Sequence, residues 1–108
     1  ENFFHGLVLG LCAIMDNRYF VTSNRESGEG RYDIQLMPKD KKLPGILIEL
    51  KAGKDCSEDE LQALAKTALE QIADLKYETE MEMKKVEKII RYGVAFSGKK
   101  VEVEINSL

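Results

Sequence analysis

Two neighbouring apolar stretches decide the fold of this chain, RYDIQLM at residues 31–37 and GILIELK at residues 45–51. Each has the length and composition of a β-strand, and each carries charged side chains. Strand side chains alternate between the two faces of a sheet, so Glu49 and Lys51 point to the same side. Removing carboxylates and a lysine from water is costly. We therefore predict that Asp33, Glu49 and Lys51 converge on a site where a divalent cation, which favours carboxylate oxygens, offsets that cost.

Outside these stretches, the pattern of apolar residues, glycines and prolines predicts elements in the order α-β-β-β-α-β-β. The predicted elements are a buried helix at 2–15, strands at 19–25, 31–38 and 45–52, a long helix from 57 to about 76, and strands at 89–96 and 101–105. Ser57 and Glu60 fit a capping box at the start of the long helix. A second helical stretch is predicted at 77–87.

The order of the elements predicts how the strands pair. The first three strands should form an antiparallel meander, and the long helix should cross over to a strand parallel to the third one. The unbroken apolar run at 46–48 predicts a central third strand that is covered on both faces. The residues expected to be buried between the sheet and its helices are Ile34, Leu36, Ile46, Ile48, Leu64, Ala68, Ile72 and Val94.

The composition is that of one globular domain, with 108 residues, 44% hydrophobic and 32% charged. The net charge of −3 does not by itself favour nucleic-acid binding, although residues 17–54 carry more basic than acidic side chains. Two cysteines without metal or disulfide spacing predict a reducing, cytoplasmic environment. The apolar segment 3–15 is too short for a membrane span and lacks a basic leader. The first residue is Glu1, which suggests processing or a piece of a longer protein.

The element order and the acidic positions resemble the PD-(D/E)XK nuclease superfamily. That superfamily has an αβββαβ core with an Asp on the second strand and a (D/E)-x-K motif on the third, where Asp33 and Glu49-Leu50-Lys51 stand here. The resemblance implies an α/β, restriction-endonuclease-like fold, with a mixed central sheet flanked by helices. It also implies a metal-dependent nuclease that hydrolyses phosphodiester bonds, in DNA rather than RNA.

A narrower resemblance links the chain to bacterial domains of this superfamily that follow an ATPase-like domain. The segments that carry it are Phe4-His5-Gly6, residues 23–33, Gln71-Ile72 and residues 93–99. It implies an ATPase-like domain in the same parent chain. The other partners that we expect are nucleic acid and, for assembly, a second copy of the chain.

The resemblance also implies a role for each candidate residue. Asp33 and Glu49 would hold Mg²⁺ or Mn²⁺, with the backbone carbonyl of Leu50 as a further ligand. Lys51 would orient or activate the attacking water, or stabilise the developing charge. The candidates that would complete the metal site from the first helix are Glu1 and His5, one helical turn apart.

Four more residues are candidates for contact with the substrate or the metal site. Arg25 would hold a phosphate, and Gln71 would lie at the edge of the active site. Glu26 and Tyr77 are weaker candidates. The gap from Gln71 to Tyr77 is longer than in the superfamily branches that place a glutamine and a tyrosine on this helix.

Each charged candidate also has a purely structural interpretation. Asp33 would pair with a neighbouring arginine, Glu49 would pair with Lys51, and His5 would be a satisfied core residue. The alternative function is therefore a catalytically silent interaction or regulatory module. The three intact charged residues favour the nuclease. The low net charge and the lack of an evident basic, aromatic-bearing surface favour the module.

Overall fold

The computed structural model describes residues 6, 9–10, 13–15, 17–25, 31–72 and 83–107. Its elements are β1 (Tyr19–Arg25), β2 (Arg31–Pro38), β3 (Gly45–Ala52), α1 (Glu58–Ile72), β4 (Ile89–Ser97) and β5 (Lys100–Ser107). The five strands form one sheet in the order β1-β2-β3-β4-β5. The β3–β4 pair is parallel and the other three pairs are antiparallel. This confirms the predicted α/β fold with its meander, crossover and mixed sheet.

The element boundaries follow the sequence signals closely. The first three strands have the predicted limits, while β4 extends to Ser97 and β5 extends at both ends. The described residues of the predicted first helix are helical at Gly6, Leu9, Gly10, Ala13 and Ile14. The prediction that this helix is buried was wrong for most of them, since Gly6, Gly10, Ala13 and Ile14 are exposed and Leu9 is half-buried. Of the helical stretch predicted at 77–87, residues 77–82 lie outside the described residues. Met83 is helical, but residues 84–87 form a turn and loop, so the prediction was wrong for them. In the part of the chain that the structure describes, no helix has the length and apolarity needed to cross a membrane.

Local interactions fix the start of α1 and the turn that follows β4. The N–H of Ser57 donates to Glu60 Oε1 at 2.8 Å, and the N–H of Glu60 donates to Ser57 Oγ at 3.2 Å. This capping box begins α1 as predicted. At the turn between β4 and β5, Gly98 has a φ of +59° at the first central position. A glycine there suits the type II′ turn of a two-residue hairpin.

The core consists of two layers, one on each face of the sheet. On one face the buried residues are Tyr19, Ile34, Leu36, Leu50 and Phe96, and Leu9 and Met15 pack against them. On the other face, which we call the α1 face, α1 packs against β3, β4 and β5. The buried residues there include Met37, Leu47, Ile72 and Ile89, and a second group of Leu61, Ala65 and Ala95. Strand β3 is therefore central and covered on both sides, as predicted.

The prediction of complete burial was wrong for half of the proposed core residues. Ile34, Leu36, Ala68 and Ile72 are buried, whereas Ile46, Ile48, Leu64 and Val94 are only half-buried. Ile46, Ile48 and Val94 lie on the face opposite α1, packed at the margin of the first layer. Leu64 lies on the flank of α1, beside the stripe that faces the sheet. Strand and helix periodicity predicts which face a residue occupies, but not how completely that face is covered.

Candidate active site

The two predicted carboxylates are directly opposite each other in the sheet. Asp33 on β2 pairs with Glu49 on β3, and directly paired residues have side chains on the same face with Cβ atoms about 4.5–5.5 Å apart. Lys51 is two residues farther along β3, so it also lies on the α1 face. All three are buried, with exposed fractions of 4% for Asp33, 0% for Glu49 and 8% for Lys51. The structure thus brings together the three residues of the predicted motif.

A close approach of α1 accounts for the burial of Glu49. On β4, the neighbours of Glu49 and Lys51 are Gly93 and Ala95, both small. A Cβ atom on Gly93 would lie 2.5 Å from the backbone nitrogen of Leu69 and 2.9 Å from its Cα. The backbone of α1 therefore rests on the row of the sheet that contains both carboxylates. Excluding water in this way strengthens every electrostatic interaction in the row.

Two polar residues that the sequence analysis did not select lie on the same face. Gln35 on β2 and Arg91 on β4 are each 5% exposed, and both are in register with Leu47 on β3. Arg91 is therefore a diagonal neighbour of Glu49, at a separation that long side chains can bridge. The available signal was that Arg91 is the single charged residue in the β4 sequence IIRYGVAFS.

Among the described residues, the buried charges on this face are balanced. Asp33 and Glu49 supply two carboxylates, and Lys51 and Arg91 supply two cations. Each of the four takes part in a polar or electrostatic interaction. Buried charges need such partners, because an isolated charge in the interior is costly. Clusters of this kind occur at functional sites, and also in structural ion-pair networks.

The donors present fit a hard divalent cation. Two carboxylates face each other across neighbouring strands, and Mg²⁺ and Mn²⁺ favour carboxylate, carbonyl and water oxygens. Within the described ranges, no group of three or more His, Cys, Asp or Glu side chains is placed to hold a metal ion. Further ligands would thus be water, backbone carbonyl oxygens such as that of Leu50, or residues outside those ranges. Glu1 and His5, the predicted ligands from the first helix, are outside them.

The remaining candidates are only partly described. Gln71 is half-buried near the end of α1, about 200° around the helix from Leu69. Leu69 packs against the cluster that includes Met37 on β2 and Leu47 on β3, so Gln71 lies on the other flank of α1. The backbone of Arg25 ends β1 and pairs with Tyr32, one position beyond the pair of Asn24 and Asp33. Glu26 and Tyr77 lie outside the described residues.

Comparison with known proteins identifies one family. A family model described as the PD-(D/E)XK nuclease superfamily matches residues 1–105, nearly the full length of the chain. Searches of the curated proteins and of the solved structures found no match. The matched range includes β1 to β4, α1 and every candidate residue.

Proposed function

Because the chain belongs to the PD-(D/E)XK nuclease superfamily, we propose that it is a metal-dependent nuclease that hydrolyses phosphodiester bonds in DNA. The observation that carries the proposal is the direct pairing of Asp33 with Glu49, with Lys51 on the same buried face. The fold by itself would not suffice, since one fold hosts many functions. The support comes from membership of this family together with a cluster of buried, ionisable side chains at the positions of the predicted motif.

Each residue has a defined role in this proposal. Asp33 and Glu49 would hold Mg²⁺ or Mn²⁺, with the Leu50 carbonyl oxygen as a further ligand. Such an ion, when bound, polarises a phosphoryl oxygen and lowers the pKa of coordinated water. Lys51 would donate a hydrogen bond that orients the attacking water, or would stabilise negative charge on the phosphoryl oxygens. In the hydrolysis the water oxygen bonds to phosphorus, the P–O ester bond breaks, and the leaving oxygen gains a proton.

The other candidates would act around this centre. Glu1 and His5 would complete the metal site, and Arg25 and Gln71 would contact the substrate backbone. Glu26 and Tyr77 would lie at the edge of the site. The proposed setting is the bacterial cytoplasm, with DNA as the partner, an ATPase-like domain in the same parent chain, and a homodimer as the assembly.

One observation favours a second candidate function, a catalytically silent interaction or regulatory module. Among the described residues, Lys51 and Arg91 balance the charges of Asp33 and Glu49 on the buried face without requiring a metal ion. Such a patch would then be structural, and its charges would serve only the stability of the fold. The two functions differ in measurable respects, because only the nuclease needs a divalent cation and cleaves nucleic acid.

Cleavage assays with matched variants separate the two functions. Purified protein is incubated with single-stranded DNA, duplex DNA and RNA in Mg²⁺, in Mn²⁺ and in a chelator. We expect cleavage of DNA that stops in the chelator, that is lost in Asp33→Asn and Glu49→Gln, and that persists in Glu70→Gln, a control on an exposed helical carboxylate. Lys51→Met should slow cleavage while calorimetry still detects Mn²⁺ binding.

The same assays define the outcomes that contradict the proposal. Cleavage by Asp33→Asn or Glu49→Gln at the parental rate would show that a contaminating enzyme is responsible. A parent protein that neither binds Mn²⁺ nor cuts any of the three substrates would support the silent module instead.

A further inference from the structure

An exposed aromatic ring surrounded by lysines lies at the far end of the α1 face. Phe20 on β1 is 60% exposed and borders a cleft of about 280 Å³. The lysines that line the same cleft are Lys39, Lys41 and Lys84. We call these four residues the Phe20 surface. They come from three separate parts of the chain, which is why the sequence did not reveal a basic, aromatic-bearing surface.

The ring and the lysines form one continuous surface. The ammonium group of Lys39 lies 4.9 Å from the centroid of the Phe20 ring, within the range of a cation–π contact. The nearby carboxylate of Asp40 accepts a hydrogen bond from the backbone N–H of Lys42 at 3.0 Å, within the same loop. A concentration of positive charge on a chain with a net charge of −3 is a local feature that complements a polyanion.

The Phe20 surface lies on the same face of the sheet as the paired carboxylates. Phe20 pairs with Met37, and Asn24 pairs with Asp33. Met37 and Asp33 are four residues apart on β2, so their side chains share a face and are separated by about 13 Å along the strand. Thr22, between them on β1, is exposed. This separation equals about four nucleotides of a stacked strand, and fewer if the strand is extended.

We infer that the Phe20 surface binds single-stranded DNA, with one unpaired base stacked on Phe20 in place of the Lys39 ammonium group, and with neighbouring phosphates held by Lys39, Lys41 and Lys84. The assignment of the bound strand as DNA rests on the proposed nuclease function. The strand preference rests on the ring, because an aromatic face can stack on a base only where that base is not already stacked and paired in a duplex. The lysines supply contacts that do not depend on base sequence. A strand anchored there would run past the exposed Thr22 along β1, the strand that pairs with β2 at Asp33.

Equilibrium binding in a chelator tests this inference without any cleavage. Fluorescence anisotropy of the full chain is measured with a labelled single-stranded DNA and with a hairpin duplex of the same length. We expect tighter binding of the single strand, a Kd at least about fivefold higher for Phe20→Ala, and retained affinity for Phe20→Trp. Ile105→Ala is the matched control, since Ile105 is also 60% exposed but lies on the opposite face.

Two further measurements distinguish stacking from a structural role of the ring. Replacing single bases of the oligonucleotide by abasic sites should weaken binding at one position in the parent, and this effect should disappear in Phe20→Ala. The double variant Lys39→Ala with Lys41→Ala should weaken the salt dependence of binding. The slope of the logarithm of the binding constant against the logarithm of the salt concentration should fall in magnitude by about 0.7 for each phosphate that is no longer neutralised. Lys66→Ala, which removes a charge from exposed α1 surface, should leave the slope unchanged.

Several results would overturn the inference. These are equal or tighter binding of the duplex, a parental Kd in Phe20→Ala, an abasic effect that does not depend on Phe20, and tighter binding of a single-stranded RNA than of DNA. The test is independent of catalysis. Phe20-dependent binding of a strand that is never cut would remove the nuclease proposal and leave this inference standing. Cleavage that is unaffected by Phe20→Ala would remove this inference and leave the nuclease proposal standing.

Discussion

Gly93 on β4 lies directly beneath the backbone of Leu69 on α1, with no room for a β-carbon between them. We predict that Gly93→Ala lowers the free energy of unfolding by about 1–3 kcal/mol, because the helix must move away from the sheet. The same shift would admit water to Glu49, which is adjacent to Gly93, so nuclease activity should fall as well. Urea titration and the cleavage assay measure the two effects.

Gly10 provides the control for that substitution. It is helical and exposed, and a Cβ atom there would meet nothing within 4 Å. Gly10→Ala should therefore leave stability unchanged or raise it by up to about 1 kcal/mol, since alanine is the better helix former. Equal stability of Gly93→Ala and the parent protein would mean that α1 does not rest closely on the sheet.

The second prediction concerns the like charges of Asp33 and Glu49. Acidic residues directly opposite each other in a sheet repel. Asp33→Asn should therefore raise the unfolding free energy of the metal-free protein by up to about 1 kcal/mol. The same substitution should also abolish the stabilisation by added Mn²⁺. For the parent protein this stabilisation is about 2.7 kcal/mol when the free Mn²⁺ concentration is a hundred times its Kd. Thermal unfolding in a chelator and in excess Mn²⁺ gives both values. Destabilisation of metal-free Asp33→Asn would indicate a structural ion pair instead.

The third prediction concerns Arg91, which is buried next to the row of carboxylates. Arg91→Met keeps much of the side-chain volume and removes the charge. We expect a decrease of about 3–5 kcal/mol in unfolding free energy, because Lys51 would remain as the one described buried counter-charge for two buried carboxylates. Arg18→Met, on an exposed arginine, should change stability little. A small effect of Arg91→Met would show that its charge is compensated elsewhere.

The fourth prediction follows from the buried side chain of Tyr19. Burial raises the pKa of Tyr19, and Tyr92 adds to the increase while Arg18 partly opposes it. A raised folded-state pKa means that the folded state favours the protonated phenol. This contribution to stability is complete below the unfolded-state pKa of about 10 and is lost as the pH rises through the folded-state value. Tyr19→Phe should weaken the decline of stability at alkaline pH, as measured by urea titration. An unchanged decline would exclude Tyr19 as its source.

The strands and the central pair of the site could be predicted because their signals are local. Glycines and prolines mark the strand ends, and alternation along β3 places Glu49 and Lys51 on one face. Arg91 could not be assigned in the same way, because its importance depends on pairing between strands separated by α1. The Phe20 surface was missed for a similar reason, since the ring and Lys84 are distant in sequence. The half-buried state of Ile48 depends on how the opposite face is covered, which periodicity does not specify.

The β2–β3 hairpin also has a consequence for the kinetics of folding. Asp33 and Glu49 meet through a short connection, so their pairing forms from local contacts that close rapidly. Gly93 and α1 reach the same row only after a longer loop has closed. We expect Glu49, which α1 covers in the row of Gly93, to stay hydrated until the helix docks, so that the cost of dehydrating it belongs to that later event. Glu49→Gln should then act mainly on the rate of helix docking and leave the rate of hairpin closure unchanged.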